Sequence, residues 1–485
     1  MAKEEVVFEV PPARTGNLRV TSLRALQPPS CVFEELPGDV NIYTQVIDTR
    51  HAVANMLCGS DDRLLVVIGL PRNSNDIAGL KLIAGTLADL ASTIRADLVI
   101  AIAADAAMSQ DPAGDGSCLV NRGIRESREL MLEFNRIGVP TALEFRDTFH
   151  PQFFADLLSW ASVSAQSEPL QELVSGLSMP VGARVPATDS SAVHHAIETS
   201  SGTHHFLGVS TEGVCGVVKS TGNPDVIAVI GADRGEGSKS ARLSAAMASV
   251  HRQRPASALM AELASEALTP SELDSSIDAV CNDVCNGGSF GSRIVGLQLR
   301  LRTQDATSKS LSTIMSKLSM AVQTRRRNVS PRRPGSAAAS KETDNLRIQD
   351  VRPLLPPAIL LEELPRDALQ AGLVVSTRAA ISQILSGESD RILFLAGPAV
   401  VDQPSAVLEY GARLAGLARE VSSEVLVVMC AEIFQPVSPS TGPWAGLLFD
   451  PAKDGSYQIN RGIRESRELL LQLNRLGIPT ALEVC

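Results

Sequence analysis

NRGIRESREL at residues 121–130 returns unchanged at 460–469. Each copy runs into a related stretch, NRIGVPTALE ending at Glu144 and NRLGIPTALE ending at Glu483. In the first copy Ile124, Leu130, Met131 and Phe134 recur at helical spacing, which predicts a helix with one apolar face. Gly138 followed by Pro140 gives that helix a stop signal. TALEF (141–145) then reads as a short buried strand. A helix feeding a strand, twice in one chain, sets the problem as a repeated α/β unit.

The repeat extends upstream. DRLLVVIGLP ending at Pro71 matches DRILFLAGPA ending at Ala399, and LQPPSCVFEELP from Leu26 matches LLPPAILLEELP from Leu354. The offset between the copies is larger at Asn121 and Asn460 than at Pro71 and Ala399, so copy one has lost a loop between those points. Further strands are predicted at 64–70, 97–103, 214–219, 226–232 and 293–301. They alternate with helical patterns such as 79–94, which implies a parallel α/β sheet. Copy one spans 18–328 after a tail of 1–17. A basic, then Ser/Ala-rich linker covers 329–346, and copy two, half as long, covers 347–485.

The composition is 44% apolar and 20% charged with a net charge of −10, which fits a globular protein and gives no general attraction to nucleic acid or anionic membrane. No signal-like N-terminus and no run of 18 apolar residues is visible, so a cytoplasmic location without a membrane partner is expected. The eight cysteines show no regular framework and read as reduced thiols. Cys281 and Cys285 sit four apart on a predicted helix and read as a buried face rather than a metal site. The basic cluster Arg325, Arg326, Arg327, Arg332 and Arg333 reads as a solvated helix end rather than a localisation signal.

Five motifs in order, DGSYQINRGIRESRELLLQLNRLGIPTALE, HPQFFADLLSWASV, LVSGLSMPVG and THHFLGVSTEGVCGVVKSTGN among them, resemble class I 3-deoxy-D-arabino-heptulosonate 7-phosphate (DAHP) synthase, closer to its fungal branch. The resemblance implies a degenerate (β/α)8 TIM barrel followed by a half-length second copy. It also implies an aldol-type condensation of phosphoenolpyruvate with erythrose 4-phosphate in the shikimate pathway. That reaction joins two polyanions, so its site needs a divalent metal and several fixed cations.

The residues that the resemblance assigns to those roles are replaced. Pro71 in copy one and Ala399 in copy two stand where the family has its metal-binding Cys. Ser265 stands for the metal His and Arg300 for the metal Glu, and the segment carrying the metal Asp has no counterpart after LRLRTQDAT. The phosphate-binding loop falls in the gap of copy one, and copy two reads FQPVSPSTGPWAG there. Gln166 and Gly231 replace two further arginines, and Arg184 replaces a lysine. Glu144 keeps its family position. The expectation is therefore no metal and no cofactor, with Glu144 and Arg184 as vestigial catalytic candidates. Copy one also reads as lacking its last strand, an open edge for copy two to cover, with 391–398 and 424–430 buried by such docking.

Asp147, Pro151, Gln152, Leu177 and Ser178 survive in segments that, by the resemblance, line a feedback pocket for an aromatic small molecule near a subunit contact. The leading expectation is a non-catalytic relative that associates with itself or with an active DAHP synthase. The alternatives are a barrel repurposed as a metal-independent enzyme of a specialised aromatic pathway, using Glu144, Arg184, Lys219, Asp147 or His150, and a weak DAHP synthase.

Overall fold

The computed structural model describes residues 7–9, 16–71, 74, 76–105, 117–189, 191–232, 238–287, 290–328, 342–435 and 444–483. Two compact units emerge, one of residues 26–352 and one of 353–485 together with 1–25. These boundaries do not follow the repeat. The first segment of each copy groups with the body of the other.

The larger unit is a closed ring of eight parallel strands. They are β1 (Leu64–Gly69), β2 (Leu98–Ala103), β3 (Thr141–Glu144), β4 (Leu158–Ser164), β5 (Val181–Pro186), β6 (Val226–Gly231), β7 (Leu259–Ala264) and β8 (Ile294–Arg300). The expected loss of the last strand is not met. RIVGLQLRL supplies the eighth strand, and β8 pairs with β1 from Gly296 and Leu65 to Arg300 and Gly69. The segment missing relative to the resembled family is not needed for closure, so no open edge remains in the ring.

Strand alternation sorts the apolar residues into two layers. Leu65, Val67, Ala101, Trp160, Val229, Met260 and Val295 fill the barrel interior. Leu64, Val66, Ile68, Ile100, Leu143 and Leu297 face the surrounding helices. Each fully buried Val or Leu contributes roughly 1.5–3 kcal/mol by removal from water. Helix Val40–Cys58 starts on Asp39, whose carboxylate accepts from the Asn41 and Ile42 N–H groups, and ends on Gly59 at φ 84°. The barrel's last helix, Ser308–Asn328, carries three of the arginines read as a solvated end, and of these Arg327 is exposed with no ion pair among the described residues. Arg325 and Arg326 differ. Arg325 instead donates to the Ile294 carbonyl (3.0 Å) and Arg326 pairs with Asp62 and Asp97. Both are bound to the barrel; Arg332 and Arg333 lie outside the described residues.

The repeated decapeptide forms the start of helix Val120–Arg136 and of helix Ile459–Arg475. In both it grips the segment that carries the EELP motif. Asn121 Oδ1 accepts from the Gln27 N–H (2.9 Å), and Asn460 Oδ1 from the Leu355 N–H (2.7 Å). Arg125 pairs with Glu35 and Arg464 with Glu363, each at 2.7 Å. Arg128 Nε donates to the Leu36 carbonyl and Arg467 Nε to the Leu364 carbonyl. Only Arg128 is also bidentate to Asp156, at 2.8 and 2.7 Å.

The smaller unit has three parallel strands, Ile392–Ala396, Val425–Cys430 and Thr480–Ala481, in an open sheet. Its core is built from Val407, Val427, Met429, Leu469, Leu473 and Ile478. Val427, Val428 and Met429 are buried, but Ile392, Phe394 and Leu395 are 67%, 52% and 55% exposed. The expectation that 391–398 is buried is therefore not met. Among the described residues two helices, Ile77–Ile94 and Ala368–Leu385, are long and apolar enough to cross a membrane by length and composition. The first packs Leu80, Ile83, Ala84 and Leu87 into the barrel core.

Candidate functional site

The carboxyl ends of barrel strands gather side chains from several elements at one mouth, where such folds place their chemistry. Here the centre of that mouth is Arg300, at the end of β8 and 0% exposed. Its Nη1 lies 2.6 Å from Asp105 Oδ2, its Nη2 2.8 Å from Glu144 Oε2, and its Nε 3.0 Å from Glu262 Oε1. Arg184 on β5 adds a second guanidinium, with Nη2 3.1 Å from Glu144 Oε1 and Nη1 3.6 Å from Glu262 Oε2. The Glu144 backbone N–H donates to Asp105 Oδ1 at 2.7 Å.

Three carboxylates thus surround one guanidinium on its three donor edges, a geometry that suits the planar fork of arginine. Removal from water works against the Arg300 charge, but Asp105, Glu262 and Glu144 outweigh it and hold the guanidinium above its usual range. Glu144, Glu262 and Arg300 are each buried. A buried charge left without its partner costs several kcal/mol, so the network is interdependent. A general base needs an available lone pair within reach of substrate. Here the carboxylates are committed to guanidinium groups.

Glu144, Arg184 and Arg300 all stand out in the sequence, and the fold brings them together. Asp105 and Glu262 do not. Glu262 interrupts the apolar run of β7 at the inward register, in step with Met260, and that period-of-two position is the signal that could have found it. Asp105 lies two residues past the end of β2. Pro71 follows β1, and buried Ser265 follows β7, its hydroxyl accepting from the Arg302 N–H at 3.0 Å. Ala399 is exposed in the smaller unit. Of the copy-two stretch 434–446, residues 436–443 lie outside the described residues, as do 106–116 in the region of copy one where that loop is missing.

The donor set does not fit a divalent metal. A fixed cation, Arg300, already sits against Asp105, Glu144 and Glu262, and Pro71 offers no donor side chain. Beside Ser265 a cleft of about 370 Å³ opens between β7 and β8 and their helices, lined by Leu268, Leu273, Ile277, Arg302 and Lys309. Arg300, Arg184 and Glu144 do not line it.

The second group of sequence candidates sits elsewhere on the barrel. Asp147 pairs with His150 and accepts from the backbone N–H groups of Phe149 and His150, both at 2.9 Å. Removal from water pushes the Asp147 carboxyl up, but the His150 contacts prevail and leave it below the usual range. Pro151 opens the short helix Pro151–Phe154 and is buried; Gln152 follows it, partly exposed. Leu177 and Ser178 are buried and taken up by the chain itself. The Leu346 N–H donates to Ser178 Oγ (3.0 Å), and Arg347 Nη1 donates to the Leu177 carbonyl (2.6 Å).

The model of the DAHP synthetase I family matches residues 40–260 and 370–485, more than half of the chain. The chain belongs to this family. Its phenylalanine-sensitive relative in Escherichia coli K12, a phospho-2-dehydro-3-deoxyheptonate aldolase, is 34% identical over 227 residues. That match covers 44% of this chain and 64% of the relative. A putative aldolase of the same name from Schizosaccharomyces pombe is 34% identical, over 44% of this chain and 61% of its own length. The Haemophilus influenzae aldolase is 30% identical over 308 residues, 60% of this chain and 83% of that protein. The chain thus spans somewhat less than two thirds of the first two relatives. A solved aldolase structure from Francisella tularensis superposes with a TM-score of 0.55 at 21% identity, covering 63% of this chain and 98% of that one. That likeness supports the barrel fold alone.

Proposed function

We propose that this chain is a non-catalytic DAHP synthase-family protein of aromatic biosynthesis, acting as a regulator or assembly partner of an active synthase. One observation carries the reading. Arg300 stands where the resemblance requires a metal-binding carboxylate, and its guanidinium neutralises the carboxylates that face it at 2.6–3.0 Å. A cation fixed at that place opposes the approach of a divalent ion, and without a Lewis acid the aldehyde is not polarised. Pro71 and Ser265 at two other ligand positions support the same reading. An aromatic ligand belongs to this proposal only at Asp147, Pro151 and Gln152, because Ser178 Oγ and the Leu177 carbonyl already have partners.

The test is an assay of the purified full chain with phosphoenolpyruvate, erythrose 4-phosphate and Mn²⁺, alone and mixed with an active synthase. No turnover is expected from the chain alone, together with a change in the partner's rate or inhibitor response. Turnover above roughly 1 s⁻¹, inside the ordinary enzyme range, overturns the non-catalytic part. An unchanged partner overturns the regulatory part.

A further inference from the structure

Strand β8 ends at Arg300 and the next helix begins at Ser308. The turn between them, 301–307, is where the family resemblance leaves a segment missing. Leu301, Arg302, Asp305 and Thr307 of that turn form one wall of the open cleft of about 370 Å³ beside Ser265. The other walls are the first turns of helices Pro270–Asn286 and Ser308–Asn328.

The cleft has a polar end and an apolar end. Each barrel helix runs back along the strand before it, so its first turn lies at the mouth. Lys309 lies in such a first turn, and Ser265 and Arg302 lie just past the ends of β7 and β8. Leu273, Ile277 and Ile314 lie further along the two helices and are buried, as are Leu268 and Leu301. Donors therefore gather at the mouth end and hydrocarbon lies below them.

The acids on the walls are already matched, whereas the donors are not. Asp274 pairs with Lys317 and Asp305 with Arg302 Nε, each at 2.7 Å. Among the described residues Lys309 makes no ion pair, and the Nη groups of Arg302 have no partner. Ser265 is 4% exposed and accepts from the Arg302 N–H, but its own hydroxyl proton has no acceptor among the described residues. A buried donor left unpaired costs about 1–3 kcal/mol, so an acceptor brought into the cleft is favoured there.

We infer that this cleft is a binding site for a small organic monoanion. Its carboxylate is held at the mouth end by Lys309, Arg302 and the Ser265 hydroxyl. Its compact apolar body, of the size of a phenyl ring, lies over Leu268, Leu273, Ile277, Leu301 and Ile314. A cavity of this volume, apolar with a few convergent donors, has the usual form of a small-molecule site. Asp274 and Asp305 are committed to cations, so an α-ammonium group finds no partner, and the ligand is a deaminated acid rather than an amino acid. The inference is independent of the functional proposal and holds whether or not the chain is catalytic.

The experiment is isothermal titration calorimetry on the full chain with 3-phenylpropionate as the probe. One site per chain is expected. The neutral 3-phenylpropanamide is expected to bind about tenfold more weakly, the worth of one charge-assisted contact. Lys309→Glu is expected to weaken 3-phenylpropionate by about the same factor, and Ile314→Trp, which fills the floor, to abolish binding. Should Ile314→Trp fail to fold, Lys309→Glu, at an exposed position, and the amide carry the test. Asp147→Ala, which removes the separate Asp147 surface from the measurement, is expected to leave 3-phenylpropionate unchanged and to bind L-phenylalanine about tenfold more weakly than that probe. No binding at millimolar probe, equal affinity for the amide, equal affinity for L-phenylalanine in Asp147→Ala, or full affinity in Lys309→Glu overturns the inference. Synthase assays on the same samples report separately on the functional proposal.

Discussion

The identical decapeptide makes the same three grips in both copies, yet its third arginine meets different surroundings. Arg128 is 0% exposed and closes a bidentate pair with Asp156, while Arg467 makes a single grip on the Leu364 carbonyl. Removal from water, with Arg366 nearby, lowers the hold of Arg467 on its proton. The contrast recurs in the strands. Leu64 is 1% exposed in the closed ring, whereas Ile392, its repeat counterpart, is 67% exposed at the edge of an open sheet. Equal sequence gives equal local ties, and the ring around it decides how much each tie is worth.

The largest effect is expected where the second unit has no counterpart at all. Arg300→Met leaves Asp105, Glu144 and Glu262 converging without their central cation. Urea unfolding at pH 7 is expected to register a loss of about 3–5 kcal/mol in the barrel transition. A change under about 1 kcal/mol would mean that the network is solvated rather than buried.

The repeat itself supplies a matched pair. Arg128→Met is expected to cost about 3–5 kcal/mol because it orphans buried Asp156. Arg467→Met should cost about 1 kcal/mol, the worth of one ordinary hydrogen bond. Thermal melts of both variants check this, and equal losses would break the comparison between the copies.

The segments that lead into the two copies sharpen it further. Asp344 corresponds to Gly16 ahead of copy one, at the offset that relates Ala399 to Pro71. It lies near Asp156, with Arg50 and Arg128 also facing it, and loss of water plus Asp156 push its carboxyl up to about 6. A folded-state value above the unfolded one, near 3.9, means that ionisation opposes docking. Stability from this group is therefore lost as pH rises from about 4 through 6. Asp344→Asn is expected to stabilise the chain at pH 7 by roughly 1–2 kcal/mol, discounted from the full shift because the group is partly exposed. The gain should vanish below pH 4. Denaturant titrations at pH 7 and 3.5 decide it, and a gain equal at both would assign the effect to something other than charge.

Much of this is legible in the chain. The alternation of short apolar runs with amphipathic helices gives a parallel α/β sheet, the family resemblance gives its closure into a barrel, and the repeat gives the second, partial copy. RIVGLQLRL is readable as a strand but not as the closing one, because its place in the ring depends on pairing with β1, the first strand of the barrel and the farthest from it along the chain. Arg300 is readable as a replacement for a metal-binding residue. Its partners are not, since they lie 38, 156 and 195 residues away and a lone acid in a strand carries no sign of what it faces. The resting place of residues 345–352 is hidden in the same way. The stretch looks like the start of copy two, and only the close approach of Ile348 to Gly176 and of the Arg352 carbonyl to Gly216 shows where it lies.

The central guanidinium also gives the barrel a direction in evolutionary time. Restoring a carboxylate at residue 300 alone would set a fourth acid among Asp105, Glu144 and Glu262, without metal ligands at 71 or 265 to recruit a cation. Restoring a thiol at 71 or an imidazole at 265 alone would leave the resident arginine in the cation's place. Each single step back is penalised by buried charge before any reward in catalysis arrives. On the non-catalytic reading proposed above, the family's chemistry is thus separated from the present fold by a valley that selection on one residue at a time does not cross, and Arg300 works as a ratchet tooth.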